Sequence, residues 1–248
     1  MSKNITILGG NGYVGTRCMK TLLKNYKDIT INIVSRTAEQ GKPISDNRVN
    51  YIKGDALNPE EFKDILRNST GVIHSIGTLI NPDPAKYNLI NKETCIRPAT
   101  LINELFAAGE MKEKVNFVYL SAERGLTFPL SLKFGGYITS KRDAEKALCD
   151  EKMAGINGII LKPGFVKDNT DRLWSVPIYH SVNLVRFFEN NVLSKVSSSI
   201  GDTLELPAAG IELECLARYA AAGAAGDLEN NVYSNDEMIE NYLKLKMI

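Results

Sequence analysis

Tyr137 and Lys141 lie four residues apart in "YITSKRDAEKAL". That spacing places both side chains on one face of a helix. A free tyrosine titrates near pH ~10, too high for ready proton exchange at neutral pH. A lysine ammonium within ~4–6 Å favours the phenolate and lowers that value by ~1–3 units. Tyr137 would then give a proton to a carbonyl oxygen, or take one back. The same pair on an exposed amphipathic helix would do nothing, so its surroundings decide.

The second constellation is "ILGGNGYVG", where Gly10-x-Gly12-x-x-Gly15 follows an apolar run and heads a helical pattern. The first glycine permits a tight turn, the second lets backbone approach a diphosphate, and the third lets helix and strand pack closely. The loop Gly9, Gly10, Asn11, Gly12, Tyr13, Val14 and Gly15 would hold the diphosphate on free amides at the positive end of the helix. Ser35 and Arg36 stand at the end of the next apolar run, where an acid would bind a ribose 2′-hydroxyl. A hydroxyl and a guanidinium suit a 2′-phosphate, which favours NADP(H) over NAD(H). Asp55, followed by Ala56, could accept from the adenine amino group or cap its own loop.

Elements able to position these groups alternate along the chain. Apolar runs at 5–9, 29–35, 49–54, 71–77, 115–121 and 157–164 read as buried strands. Helical patterns occupy 12–25, 59–68, 84–109 and 137–154. Asn58, Pro59, Glu60 and Glu61 form a helix start, and Pro98 should kink or split the third helix. Such alternation gives an α/β fold with a doubly wound parallel sheet. After residue 164 the rhythm changes. An Ala-rich helix at 210–225, a short strand and a last helix remain. Residues 166–248 are therefore expected to form a small substrate or lid region packed on the 1–165 domain.

Composition narrows the function. The chain has 248 residues, 44% hydrophobic and 24% charged, with net charge +1 and no basic block, so nucleic acid is not an expected partner. Four scattered cysteines and two distant histidines argue against a disulfide framework or a metal site. His74 reads as a strand-end residue with a satisfied ring. The strand pattern starts at residue 3, leaving no room for a secretory signal or an Arg-rich transit peptide.

The glycine loop, "GD" at 54–55, "YLSAERG", "YITSK" and "LKPG" occur in order. Together they resemble the extended or atypical branch of the short-chain dehydrogenase/reductase superfamily, with its Rossmann-type sheet. "YLSAERG", "GYITSKRDAEKAL" and "KPGFV" are most similar to a mitochondrial subgroup. It includes the nucleotide-binding accessory subunit of complex I and a yeast protein of the ubiquinone-synthesis complex. The resemblance implies catalytic roles for Ser121, Tyr137, Lys141 and Asn91. Ser121 would polarise a carbonyl, though "SAERG" departs from the usual Ser-rich string, and Asn91 would hold a proton relay. Lys141 would also bind the nicotinamide ribose, with Gly77, Pro163 and Gly164 lining the nicotinamide. A mitochondrial location, on the matrix side of the inner membrane, is implied too; without the resemblance a cytoplasmic one would stand.

Residues 175–196 place Ile178, Val182, Val185, Phe188 and Val192 at helical spacing, with Arg172, Arg186 and Lys195 around them. Such a helix could lie on a membrane, dock a partner, cover a lipophilic substrate or simply face the core. Trp174 is a candidate anchor for the tail. Three functions follow. One is an NADPH-binding accessory subunit with little or no turnover. Another is an NAD(P)-dependent oxidoreductase or epimerase acting on a small or lipophilic carbonyl. The third is a redox-sensing regulator.

Overall fold

The computed structural model of the chain describes residues 2–37, 44–79, 81, 83, 85–123, 130–169, 172–173, 175–188 and 209–245. For 130–135, 178, 182 and 184–188 only the backbone is described. Seven parallel strands form one sheet in the order β3-β2-β1-β4-β5-β6-β9. They are β1 (Lys3–Leu8), β2 (Ile29–Ser35), β3 (Val49–Lys53), β4 (Gly71–His74), β5 (Val115–Leu120), β6 (Ile156–Leu161) and β9 (Val232–Tyr233). Two further short strands, β7 (Val166–Lys167) and β8 (Ile211–Glu212), pair with each other.

Helices cover both faces, which is why the strands read as continuous apolar runs. On one face, α1 (Tyr13–Asn25) and α6 (Leu213–Ala225) pack Cys18, Leu22, Leu216 and Ala220 against Ile5, Ile7 and Ile31. On the other, α2 (Lys63–Arg67), α3 (Thr94–Ala107) and α4 (Leu130–Leu148) enclose Leu66, Ile102, Leu105 and Ala144 with Val72, Phe117 and Ile160. α5 (Ser175–Phe188) begins at the residue expected of the tail helix. Trp174, the side chains of Ile178, Val182, Val185, Arg186 and Phe188, and residues 189–208 with Val192 and Lys195 lie outside the described residues. α7 (Asn235–Asn241) starts on a Ser234 cap whose side chain accepts from Glu237 N at 3.2 Å. Among the described residues no helix is long and apolar enough to cross a membrane.

Three sequence expectations need correction. The helix carrying Tyr137 starts at Leu130, so Tyr137 lies in its interior, and it ends at Leu148 instead of residue 154. The 59–68 pattern is a 3₁₀ turn, Pro59–Phe62, followed by α2. The 84–109 pattern does split, but not at Pro98, which lies buried inside an unbroken α3. The break is a wide π turn at Asn88–Glu93, preceded by a single turn at Ala85–Tyr87. Pro98 has no N–H for the Thr94 carbonyl, and its ring crowds that group. Thr94 marks the junction of the wide turn with α3, so the geometry changes where the proline's effect falls, one turn upstream.

The Ala-rich α6 explains how the sheet's centre is covered so closely. A Cβ on Gly71 would come within 2.1 Å of the Ala224 carbonyl oxygen, and one on Gly223 within 2.9 Å of Val118. Gly71→Ala should therefore cost roughly 1–3 kcal/mol or more, read from the urea midpoint. Gly109→Ala, at an open position with φ +74°, should cost about 1 kcal/mol. A Gly71→Ala midpoint equal to wild type would show that α6 can move off β4.

Candidate functional site

β1 and β4 are sheet neighbours whose following segments leave toward opposite faces, and a crevice opens at their carboxyl ends. The glycine loop fills the β1 side. Gly9 takes the left-handed turn, with φ +79°, the role expected of Gly10. Gly10 is packed instead: a Cβ there would meet Ile33 at 2.8 Å. Gly15 is held tightest, since its Cβ would lie 2.6 Å from Gly10 Cα and 2.7 Å from the Gly9 carbonyl oxygen. Gly12 faces open space, where a Cβ would meet only the Gly9 carbonyl oxygen at 3.2 Å. No acid lies in the first turn of α1, and no side chain caps it. Its first amides therefore have no side-chain cap, and a helix start of this kind suits an anion such as a dinucleotide diphosphate.

At the end of β2, Ser35 Oγ accepts from Asn11 Nδ2 at 2.6 Å, which ties the strand's last residue to the loop. Arg36 is exposed beside it. Asp55 takes the capping role: its carboxylate accepts from Leu57 N at 3.0 Å. Ala56 is buried behind it.

Tyr137, Lys141 and Asn91 converge at the β4 side. A Cβ added to Gly77 would touch both Asn91 Oδ1 and Lys141 Nζ at 3.4 Å. Asn91 is fully buried. Its Oδ1 accepts from Thr78 N at 2.7 Å and its Nδ2 donates to Thr78 O at 3.1 Å. Lys141 donates to the Leu120 carbonyl at 2.6 Å and lies 6.0 Å from the Tyr137 ring centroid. At that range it does not bring the phenol down. Burial pushes Tyr137 up to about 12, Tyr13 adds to the rise, and Arg142 opposes it. Burial also lowers Lys141 to about 8, against the pull of Cys95 and Glu145.

Ser121 sits at the end of β5, 4% exposed, but its hydroxyl donates to the Glu145 carboxylate rather than facing a substrate. Glu145 is itself buried and bridges Arg142 and, at 3.1 Å, Lys162. It lies on the same face of α4 as Tyr137 and Lys141, one further step of four, a spacing visible in the sequence but not used. The Gly164 amide, expected near the nicotinamide, donates to Asn235 Oδ1 at 2.7 Å, and Pro163 O accepts from Glu123 N at 2.9 Å.

Two aromatic groups back the site. Tyr119 Oη donates to the Asn91 carbonyl at 2.9 Å, and its ring lies 4.7 Å from Lys141 Nζ. His74 is fully buried against that ring. Thr94 Oγ1 donates to Ile90 O at 2.6 Å, so it accepts from His74 Nε2 at 3.0 Å. That fixes the Nε2–H tautomer and leaves Nδ1 an acceptor with no hydrogen-bond partner among the described residues. The ring is half satisfied, not fully as the sequence suggested.

A sequence-family profile described as NAD(P)H-binding matches residues 9–177. A Saccharomyces cerevisiae protein, MIOREX complex component 2, is 29% identical over 212 residues, 68% of this chain and 74% of that protein. An uncharacterized chloroplastic protein of Arabidopsis thaliana is 30% identical over 171 residues, 66% of this chain and 51% of that protein. The chain thus spans about half the length of the plant relative. Among solved structures, the Bordetella bronchiseptica enzyme WbmF in complex with NADH aligns with a TM-score of 0.62 at 15% identity. The match covers 98% of this chain and 76% of that one, and it shows the shared fold.

His74 supplies a pH test. Burial first, then Lys141, lowers it to about 3, while the unfolded chain titrates near ~6.5. Below that value the unfolded state binds the extra proton, so the stabilisation present above pH ~6.5 is lost as pH falls toward 3. The loss approaches ~1.4 kcal/mol per pH unit. His74→Leu should flatten the decline of the thermal midpoint between pH 6.5 and 4.5. Parallel slopes in variant and wild type would show that His74 charges freely inside the fold.

Proposed function

The chain belongs to the NAD(P)H-binding family, and from that premise we propose that it is an NADPH-binding accessory subunit, of short-chain dehydrogenase/reductase type, with little or no turnover. One observation carries this reading: the glycine loop keeps close glycine packing and open space at Gly12, while Ser121, the hydroxyl meant for a carbonyl, is committed to buried Glu145. Binding needs the open space at Gly12 and the free amides of α1. Catalysis needs in addition a donor aimed at the substrate and a phenol that exchanges its proton, and Tyr137 is pushed away from that range.

The 2′-phosphate preference rests on Ser35 and Arg36 and on the lack of an acid at the end of β2. The setting is a mitochondrial assembly, of ubiquinone synthesis or complex I, on the matrix side of the inner membrane. The motif resemblance supports this, and the yeast relative's name places that protein in a complex. Residues 166–248 work as one unit with 1–165 in this reading, because β9 extends the sheet beside β6 and α6 packs on α1.

A second reading has an observation of its own. Asn91 and Lys141 lie beside Gly77, with the Tyr137 ring 6.0 Å from Lys141 Nζ, which supports an NADPH-dependent reductase or epimerase. A bound dihydronicotinamide would be the hydride source for a small or lipophilic carbonyl substrate. Tyr137 would give its proton to the carbonyl oxygen, and Lys141 would hold the developing phenolate and the ribose.

Tyr137→Phe and Gly12→Glu separate the two. In complementation of a null strain, Tyr137→Phe should be silent and Gly12→Glu should lose function. A Tyr137→Phe variant that alone loses function, with NADPH affinity intact, supports the enzyme and sinks the subunit reading. On calorimetry, NADPH should bind more tightly than NADH. Arg36→Ala should weaken NADPH about tenfold or more and leave NADH unchanged; equal losses would remove the 2′-phosphate assignment.

A further inference from the structure

The glycine loop itself offers a diphosphate no cation. "GGNGYVGT" contains no lysine or arginine. Arg17, one turn into α1, faces other partners, with Glu214 at 3.2 Å and Asp168 at 3.8 Å. Two negative charges would thus rest on backbone amides alone. Arg172 stands over this place. Its guanidinium carbon is 3.9 Å from the ring centroid of Tyr13, the first residue of α1.

The contact is a stack, and a stacked guanidinium keeps its N–H edges free. Arg172 is exposed, and no ion pair to it occurs among the described residues. Its backbone, by contrast, is pinned. The Arg172 carbonyl accepts from Ser175 N at 2.8 Å and from Ser175 Oγ at 2.7 Å. Ser175, 1% exposed, also accepts from the amide of Asp168, 2% exposed, at 2.9 Å. Asp168 directly follows β7, which β8 holds in register. Buried Asp168 and Ser175 therefore hold the Arg172 backbone, and its charged, planar side chain lies beside the first residue of the phosphate-binding helix.

We propose that Arg172 is a diphosphate clamp. Its N–H edge closes on the bridging phosphates of the dinucleotide while Tyr13 supports its face. This rests on the dinucleotide reading above and adds a residue outside the glycine loop. The guanidinium suits the task because its fixed fork of donors pairs with two phosphate oxygens at once.

The test is calorimetric titration of wild type, Arg172→Ala and Arg172→Lys with two ligands: NADPH, and adenosine 2′-monophosphate, which has no diphosphate. Arg172→Ala should bind NADPH about ten- to a hundred-fold more weakly and the monophosphate as wild type does. Arg172→Lys, charged but unable to stack flat or grip in two places, should fall between. Thermal midpoints without ligand should match, since the side chain is exposed. Unchanged NADPH affinity in Arg172→Ala overturns the clamp, and so does an equal loss for both ligands. Folded wild type that binds no pyridine dinucleotide overturns the dinucleotide premise itself, a result distinct from either.

Discussion

The site depends on one close contact, the approach of Gly15 to Gly10. Helix α1 can start directly behind β1 only because neither residue carries a Cβ; one on Gly15 would sit 2.6 Å from Gly10 Cα. That approach aims the helix's first amides into the crevice between the β1 and β4 ends. A helix displaced by one side chain would point its partial positive charge elsewhere. The same constraint fixes Tyr13 at the helix start, where Arg172 meets it, so the tail's contact with the loop follows from a backbone packing event.

A second constraint is the burial of Glu145. An isolated carboxylate inside a protein is costly unless paired and hydrogen-bonded. Here Arg142, Lys162 and the Ser121 hydroxyl surround it. Arg142 also reaches the Glu123 carbonyl, and Glu123 accepts from the amide of Asn235 at 2.9 Å, which in turn holds Gly164. The network thus joins α4, the β5 and β6 ends and α7. Ser121 and Glu145 thus help secure the turn at Pro163 and Gly164 and the start of the last helix.

The strands were legible because both faces of the sheet are covered, which turns each into a run of Ile and Val with little alternation. The glycine loop was legible because its spacing is a steric requirement, although which glycine takes the positive φ was not. Spacing also paired Tyr137 with Lys141 but could not set their distance from each other's charge. The wide turn at Asn88–Glu93 escaped notice because Pro98 advertises a break at its own position and acts one turn away. The roles of Glu145 and Arg172 escaped the sequence for a different reason. Each gains meaning from a partner distant in sequence, Ser121 in one case and Tyr13 in the other.

Binding and turnover make unequal demands on this architecture. A diphosphate asks for amides, space and a cation, all set by backbone geometry and one guanidinium. Proton transfer asks for a phenol whose charge is stabilised when the proton leaves, and burial works against that charge. Arg142 is the described cation that works against the rise at Tyr137, and Lys141 donates its shortest described bond to the Leu120 carbonyl. A cradle of this kind can persist after the proton chemistry is lost, because the groups that shape it are not the groups that move the proton. A dinucleotide held there would then act through the elements it ties together, the α1 start, the Arg172 turn and the N-terminus of α5, and its occupancy would be felt on the surface those elements form.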